Sequence, residues 1–191
     1  MRSSRGWCAG LLDARTPPPG PLPQGEGEFY RVTRRNWLTL VGVIAGVVVL
    51  GADQLSKWWI LHGLDLPEHG QIVLLPVLNF TMVWNRGVTF GLLNSFGPWG
   101  YLILSAVAVA IVIALGVWLR RAESAVVAVA LGAVAGGALS NNLIDRLRYG
   151  AVVDFIHAHI GDWSWYVFNV ADAAIVCGVA ALVLESQLGR R

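Results

Sequence analysis

The sequence predicts an all-α membrane protein with four transmembrane helices, on the basis of its composition and its long uncharged runs. Hydrophobic residues make up 55% of the 191 residues and charged residues only 14%, whereas an ordinary globular protein has about 25% charged residues. Such a deficit of charge is typical of an integral membrane protein. The two cysteines imply neither a disulfide framework nor a thiolate metal site.

Four apolar spans are predicted, each close to the length that crosses a bilayer. The second runs from Pro98 to Leu119 without a charge, which is about 33 Å as a helix against a hydrocarbon core of about 30 Å. The third is rich in glycine and alanine, which suit close helix packing in a membrane. The spans cover residues 37–58, 98–119, 125–143 and 168–184. We therefore expect residues 35–191 to form one four-helix membrane domain.

The first 34 residues have a different character. They carry no sustained apolar period, and the stretch from Thr16 to Glu28 is rich in proline and glycine. No apolar region precedes a small-residue cleavage site, so the pattern is not that of a secretory signal peptide. We expect residues 1–34 to be a disordered cytoplasmic extension.

Arginine clusters near the span ends predict the orientation in the membrane. They lie before the first span, between the second and third spans, and at the end of the chain: Arg31, Arg34, Arg35, Arg120, Arg121, Arg190 and Arg191. With four spans these clusters fall on one side, which is therefore expected to be cytoplasmic. Both termini are then cytoplasmic, and residues 60–97 and 147–167 face outward.

Under this topology, polar residues from every outer segment gather at one level of the outer face. They are Asp53, Asn85, Asn142, Asp145, Asp154, Asn169 and Asp172. The first outer loop, between Gln71 and Trp84, is rich in β-branched and aromatic residues, which favours short strands over a helix. The convergence of polar groups predicts a functional site beside these strands.

Asp154 and Asp172 are the central candidates because each lies within an apolar frame, where a carboxylate is costly unless it is paired or wetted. Asp154 lies in a short apolar segment of the outer loop, and Asp172 shares a face with Asn169 at the start of the fourth helix. Two facing carboxylates that share one proton are the working unit of an aspartic protease. The alternative is two independent acids whose side chains reach water.

Three further motifs have both structural and functional interpretations. Asp53 and Lys57 are four residues apart, which suits an intrahelical ion pair that eases burial of charge or orients a substrate. The turn at residues 85–91 can present backbone and amide groups to an extended peptide, or be only a turn. In the motif at residues 142–146, Asn142 and Asp145 share a helical face, and Arg146 can pair with a loop carboxylate or contact a lipid phosphate or ester.

His157 and His159 alternate along the same outer segment as Asp154. Two histidines without a nearby cysteine or exposed glutamate make a poor metal site. We interpret them as surface residues at the membrane interface, and we expect no metal ion and no cofactor.

The ordered set of motifs resembles that of the lipoprotein signal peptidase (signal peptidase II) family. The motifs lie at residues 53–57, 85–90, 142–146, 153–155 and 168–172, and the resemblance runs from about residue 37 to about residue 184. One departure is visible, because the family usually has Gly-Asn before the Asp-Arg pair and this chain has Ser140-Asn141-Asn142. We assign the motif asparagine to Asn142, from its three-residue spacing to Asp145.

The resemblance implies an intramembrane aspartic endopeptidase of the bacterial inner membrane, with a small extracytoplasmic β-sheet cradle beside its helices. Its partners would be lipid-modified prolipoprotein signal peptides and membrane lipid, with no nucleic acid, and the chain would act as a monomer. The family pattern makes Asp154 and Asp172 the catalytic pair. Residues expected to bind substrate or to support that pair are Asn142, Arg146, Asn169, Asp145, Asn85, Gly87, Asp53 and Lys57.

Two other classes of function are open to a chain of this composition. Intramembrane acids also mark proton relays, so a small proton-coupled transporter or channel is the main alternative. Against it, the acids gather at one face instead of lining a path, and no inverted repeat is visible. A scaffold without catalytic activity would leave the convergent polar residues unexplained.

Overall fold

The computed structural model describes residues 26–87 and 100–188. Within this part of the chain, four helical segments are long and apolar enough to cross a membrane, as the sequence predicts. They are Val32–Gly63, Leu102–Leu119, Ala125–Tyr149 and Val170–Leu188. Residues 88–99, which include the end of the second motif and the predicted start of the second span, lie outside the described residues.

The first membrane segment is longer than expected. Helix α1 runs from Glu26 to Trp58 and continues as one π-helical turn, Trp59–Gly63. Residues 26–34, which the sequence predicts to be disordered, are therefore helical. Residues 1–25 lie outside the described residues. The last proline before the helix is Pro23. Beyond it, each residue that extends the helix gains a backbone hydrogen bond without the entropic cost of starting a new helix.

The remaining helices follow the predicted spans with shifted ends. A short helix α2, Leu66–His69, precedes the strands, and α3 covers Gly100–Leu119. Helix α4, Ala125–Leu139, leads into a π-helical turn, Ser140–Asp145, and into the short helix α5, Arg146–Tyr149. The third span therefore extends beyond its predicted end at residue 143. Helix α6 covers Val170–Leu188.

Glycines allow α1 and α4 to pack with their backbones in contact. A Cβ atom added to Gly132 would collide with the carbonyl oxygen of Gly42, and one added to Gly46 would lie 2.9 Å from the carbonyl oxygen of Gly132. Gly136 packs in the same way against the backbone of Gly46. Because small residues are what permits such an approach in a membrane, the predicted close packing of the third span is confirmed.

Four antiparallel strands form a small sheet in the order β1-β2-β3-β4. They are β1 Gln71–Leu75, β2 Leu78–Asn85, β3 Val152–Ile160 and β4 Trp163–Ser164. The first two confirm the strands predicted in the first outer loop.

The third strand brings Asp154 into the sheet. The sequence places this residue in a loop, whereas the structure pairs it with Val83 of β2, next to an irregularity in the register between Phe80 and Val83. The cause is the distant partner strand, which satisfies the backbone hydrogen bonds of the apolar segment. Beneath the sheet, an apolar cluster with Ile60, Leu66, Val153 and Phe155 at its centre fixes the strand on the helices.

Candidate active site

Asn169 joins the two candidate acids. Asp154, on β3, is only 2% exposed, and its Oδ1 accepts a hydrogen bond from Asn169 Nδ2 at 2.7 Å. On the other side, Asn169 Oδ1 accepts the backbone N–H of Asp172 at 2.9 Å. The backbone N–H of Asn169 in turn donates to Asp172 Oδ2 at 3.3 Å. One buried asparagine therefore orients both carboxylates.

This reciprocal pair of hydrogen bonds caps α6. Asn169 lies one residue before the helix, and Asp172 lies in its first turn. Free backbone N–H groups at a helix start attract oxygen acceptors, and an acidic residue in the first turn is favoured there. The local rules for starting a helix thus place Asp172 beside β3.

The second oxygen of Asp154 is held by the turn after β2. Asn85 Nδ2 donates to Asp154 Oδ2 at 3.0 Å, while Asn85 Oδ1 accepts the backbone N–H of Gly87 at 2.9 Å. Gly87 has a φ of +74°, a conformation that favours glycine. The predicted turn therefore connects Asp154 to the rim of the site.

The pKa of Asp154 is raised from 3.8 to about 6. Burial is the largest cause, because it disfavours the charged form, and the negative charge of Asp172 adds to it. Hydrogen bonds from Asn85 and Asn169, and the positive charge of Lys57, act in the opposite direction. Asp154 can therefore exchange a proton near neutral pH.

Asn141, and not Asn142, bonds to Asp172 and to the asparagine that joins the two acids. Asn141 Nδ2 donates to Asp172 Oδ1 at 2.8 Å and to Asn169 Oδ1 at 3.3 Å. Asn142 instead accepts a bond from Arg146 Nε at 3.3 Å. The three-residue spacing to Asp145 assumes an α-helix, whereas this segment is a π-helical turn. In this wider turn, Asn141, which is four positions before Asp145, lies on the same side of the helix as Asp145.

Lys57 forms a buried ionic cluster behind the acids and is 2% exposed. Its Nζ lies 2.5 Å from Asp53 Oδ2 and 2.7 Å from Asp145 Oδ2, and it donates to Asn141 Oδ1 at 2.6 Å. The ion pair between Asp53 and Lys57 confirms the prediction from their spacing. Asp145 joins the same cluster, although its sequence motif lies in another helix.

Besides Asn141, two polar residues of this cluster were not predicted as site residues by the sequence analysis. Ser140 donates to Asp53 Oδ2 at 2.7 Å, and Gln54 Nε2 donates to Asp145 Oδ1 at 2.7 Å. Both lie within predicted spans, where a polar side chain is unusual and is expected to find a partner. The available signals were the position of Gln54 next to Asp53 and that of Ser140 next to Asn141.

Arg146 lies at the same rim of the site as the turn after β2. Its Nη2 would lie 2.8 Å from a Cβ atom added to Gly87, so the guanidinium packs against the turn that holds Asp154. Among the described residues, Nη1 is buried and has no hydrogen-bond partner. A buried guanidinium with an unused N–H group can donate a hydrogen bond to an oxygen of a ligand.

The two histidines of β3 bind strand neighbours. His157 Nδ1 and Thr81 Oγ1 are 3.2 Å apart, and Asn79 Nδ2 lies 3.0 Å from His159 Nε2. His157 Nε2 also lies 2.5 Å from Ser164 Oγ. In the described ranges, no group of three or more His, Cys, Asp or Glu side chains could hold a metal ion.

The chain is similar to a defined family of membrane peptidases. A family model described as Signal peptidase (SPase) II matches residues 44–188. The lipoprotein signal peptidase of Methylorubrum extorquens (strain PA1) is 54% identical over 145 residues, which are 76% of this chain and 84% of the relative. The lipoprotein signal peptidase of Rhodopseudomonas palustris (strain ATCC BAA-98 / CGA009) is 43% identical over 153 residues, 78% of this chain and 93% of the relative.

The fold is similar to that of solved structures as well. A bacterial membrane enzyme solved by the in meso method at 1.9 Å resolution has a TM-score of 0.64 and 28% sequence identity, over 75% of this chain and 90% of that one. A second such structure, at 2.3 Å resolution, also has a TM-score of 0.64, with 27% identity over 76% of this chain and 87% of that one.

Proposed function

The chain belongs to the signal peptidase II family, and we propose that it is an aspartic endopeptidase whose catalytic pair is Asp154 and Asp172. The family is one of peptidases, and with four membrane segments the chain is a protein of the bacterial inner membrane. The observation that carries the proposal is the contact of Asn169 with both acids. Family membership does not support the alternative of a proton-coupled transporter.

The proposed chemistry needs only a water molecule between the two carboxyl groups. One carboxylate removes a proton from this water, whose oxygen attacks the scissile carbonyl carbon. The other carboxyl group, which is protonated, donates its proton to the carbonyl oxygen. When the tetrahedral intermediate collapses, one of its hydroxyl groups returns a proton to the carboxylate that had acted as the acid, the C–N bond breaks, and the leaving amine takes the proton that the base had removed. The raised pKa of Asp154, about 6, supports a pair that retains one proton.

The proposed substrate is a diacylglyceryl-modified prolipoprotein, cut just before its lipidated cysteine. Arg146 is a candidate to bind it, because Nη1 has no partner among the described residues and can donate to a peptide or ester carbonyl oxygen. Asn142 orients this guanidinium through its bond to Nε. Asn85 and Gly87 would border the peptide at the turn.

The proposed orientation places both termini in the cytoplasm and the acids at the extracytoplasmic face. It is supported by the arginine residues at the ends of the membrane segments, among them Arg120 and Arg121 after α3. A signal helix could then lie among the helices of the enzyme, while its acyl chains stay in lipid. We propose a monomer as the working unit.

A cleavage assay with two matched precursors tests the proposal. The purified protein, in detergent, is incubated with one precursor in its diacylglyceryl-modified and unmodified forms, and the products are identified by mass spectrometry. We expect one cut, immediately before the cysteine, in the modified precursor only. Absence of cleavage, or a cut that does not depend on the lipid, would overturn the proposed specificity.

A further inference from the structure

The buried cluster around Lys57 contains two carboxylates for one ammonium group. An ammonium group has three hydrogen-bond donors, and Lys57 Nζ uses them on Asp53, Asp145 and Asn141. A single carboxylate would neutralise it. Because a second buried carboxylate carries a desolvation cost, charge neutralisation alone does not explain why both are present.

Each of the two carboxylates also contacts the backbone of a different segment. Asp145 Oδ2 accepts the backbone N–H of Val153 at 3.1 Å. Asp53 Oδ1 accepts the backbone N–H of Ala171 at 2.9 Å. Val153 immediately precedes Asp154, and Ala171 immediately precedes Asp172. The cluster therefore holds the backbone one residue before each acid of the pair.

The cluster also reaches Asp172 by a third route, through a side chain. Lys57 donates to the oxygen of the Asn141 amide at 2.6 Å, and the nitrogen of the same amide donates to Asp172 Oδ1 at 2.8 Å. The acceptor role of the oxygen fixes which way this amide points. Lys57 thus connects β3, α6 and the π-helical turn, the segments whose relative placement sets the distance between the two acids.

We propose that Lys57, Asp53 and Asp145 are positioning residues that fix the separation of Asp154 and Asp172. Asp145 anchors the strand that carries one acid, Asp53 anchors the helix that carries the other, and the ammonium group couples the two anchors. This inference rests on the proposed catalytic role of the pair. A shared-proton mechanism tolerates little displacement, because a misplacement of about 1 Å can lower the rate by about 100-fold.

Leucine and asparagine substitutions at the two anchors provide the first test. Removal of either carboxylate leaves Lys57 paired with the other one, so neither change leaves the ammonium group without a counter-ion. We expect Asp53→Leu and Asp145→Leu each to lower kcat by about 100-fold, with KM changed by less than about threefold. Asp53→Asn and Asp145→Asn retain an oxygen that can accept the backbone N–H, and we expect them to keep about tenfold more activity than the leucine variants.

A backbone substitution tests the same contact without changing any side chain. Replacement of Val153 by its α-hydroxy acid converts the amide to an ester, which removes the N–H that Asp145 accepts and weakens the carbonyl group of Val152 as an acceptor, an effect that an ester elsewhere in the chain shares. The matched control places the same hydroxy acid at Val183, an exposed residue of α6. We expect the ester at position 153 to lower kcat by about tenfold or more, and the ester at position 183 to leave it unchanged. If the leucine variants do not fold, the comparison of these two ester variants tests the positioning role.

The outcomes separate this inference from the proposed function. Normal processing by Asp154→Asn or Asp172→Asn would overturn both. If those variants are inactive while the ester at Val153 retains the wild-type kcat, the positioning role is wrong and the catalytic pair stands. A loss that appears only in KM would also contradict positioning, since the anchors would then act on substrate binding.

Discussion

Asn169 donates a hydrogen bond to Asp154 Oδ1 at 2.7 Å from a position just before α6, the helix that carries the second acid. The same side chain accepts the backbone N–H of Asp172. The side-chain amide of Asn169 thereby joins strand β3, which carries Asp154, to helix α6, which carries Asp172. The proposed catalytic pair therefore depends on this link for its geometry.

The first prediction concerns the link itself. Asn169→Ala removes the donor to Asp154 and the acceptor for Asp172 together, so we expect kcat to fall by about 100-fold. Asn79→Ala is the matched control, because Asn79 is also a buried asparagine but bonds to His159 on the sheet. Steady-state kinetics on a lipidated precursor would measure both. Equal losses in the two variants would show that the effect is general to buried asparagines.

The second prediction follows from the raised pKa of Asp154, about 6 against an ordinary value of 3.8. Since folding disfavours the charged form, the contribution of this group to stability is complete below pH about 4 and is lost as pH rises through about 6. In Asp154→Asn this titration is absent. We therefore expect the Tm of the variant, relative to wild type, to rise between pH 4 and pH 7.

Thermal unfolding in detergent across this pH range measures the difference between the two proteins. Other titrating groups are common to both and cancel to first order. A Tm difference that stays constant, or that falls as pH rises, would contradict the raised pKa.

The third prediction concerns the contact between α1 and α4. A Cβ atom at Gly132 would collide with the Gly42 carbonyl group, so Gly132→Ala should destabilise the protein by about 1–3 kcal/mol. Gly116→Ala, in α3, is the control, because nothing lies within 4 Å of a Cβ atom there. We expect that change to be neutral or to stabilise by up to about 1 kcal/mol. Thermal unfolding would show a lower Tm for the first variant alone.

The fourth prediction distinguishes two effects of a side chain at Gly87: displacement of Arg146 and backbone strain. In Gly87→Ala the new methyl group would lie 2.8 Å from Arg146 Nη2, at a φ of +74°. We expect kcat/KM to fall by about tenfold or more through displacement of the guanidinium. Gly161→Ala carries similar strain, at a φ of +57° with open space around it, and should keep the wild-type kcat/KM. If both variants lose activity alike, strain and not Arg146 is the cause.

The membrane segments could be predicted from sequence because length and hydropathy are local properties. The pairing of Asp53 with Lys57 was predictable for the same reason, since both lie on one helix. The strand that contains Asp154 was not, because the part of it around Asp154 pairs with β2, which lies far away in the chain. An apolar segment with an acid in it gives no indication of its distant partner.

The role of Asn141 illustrates a second limit. The motif spacing pointed to Asn142, on the assumption of a regular α-helix. The chain instead forms a π-helical turn at Ser140–Asp145, where the side chains rotate relative to α-helical positions. Asn141 bonds to Lys57 and to Asp172, and these tertiary contacts favour the π-helical turn. Helical periodicity in the sequence carries no information about such contacts.

Substitution of the two acids tests the central claim most directly. Asp154→Asn and Asp172→Asn keep the size of each side chain and remove its ability to exchange a proton, so processing of a lipidated precursor should fall below detection while both proteins remain folded. Mass spectrometry of the product, with thermal unfolding as the check on folding, gives the answer. Cleavage before the lipidated cysteine at the wild-type rate by either variant would contradict the account.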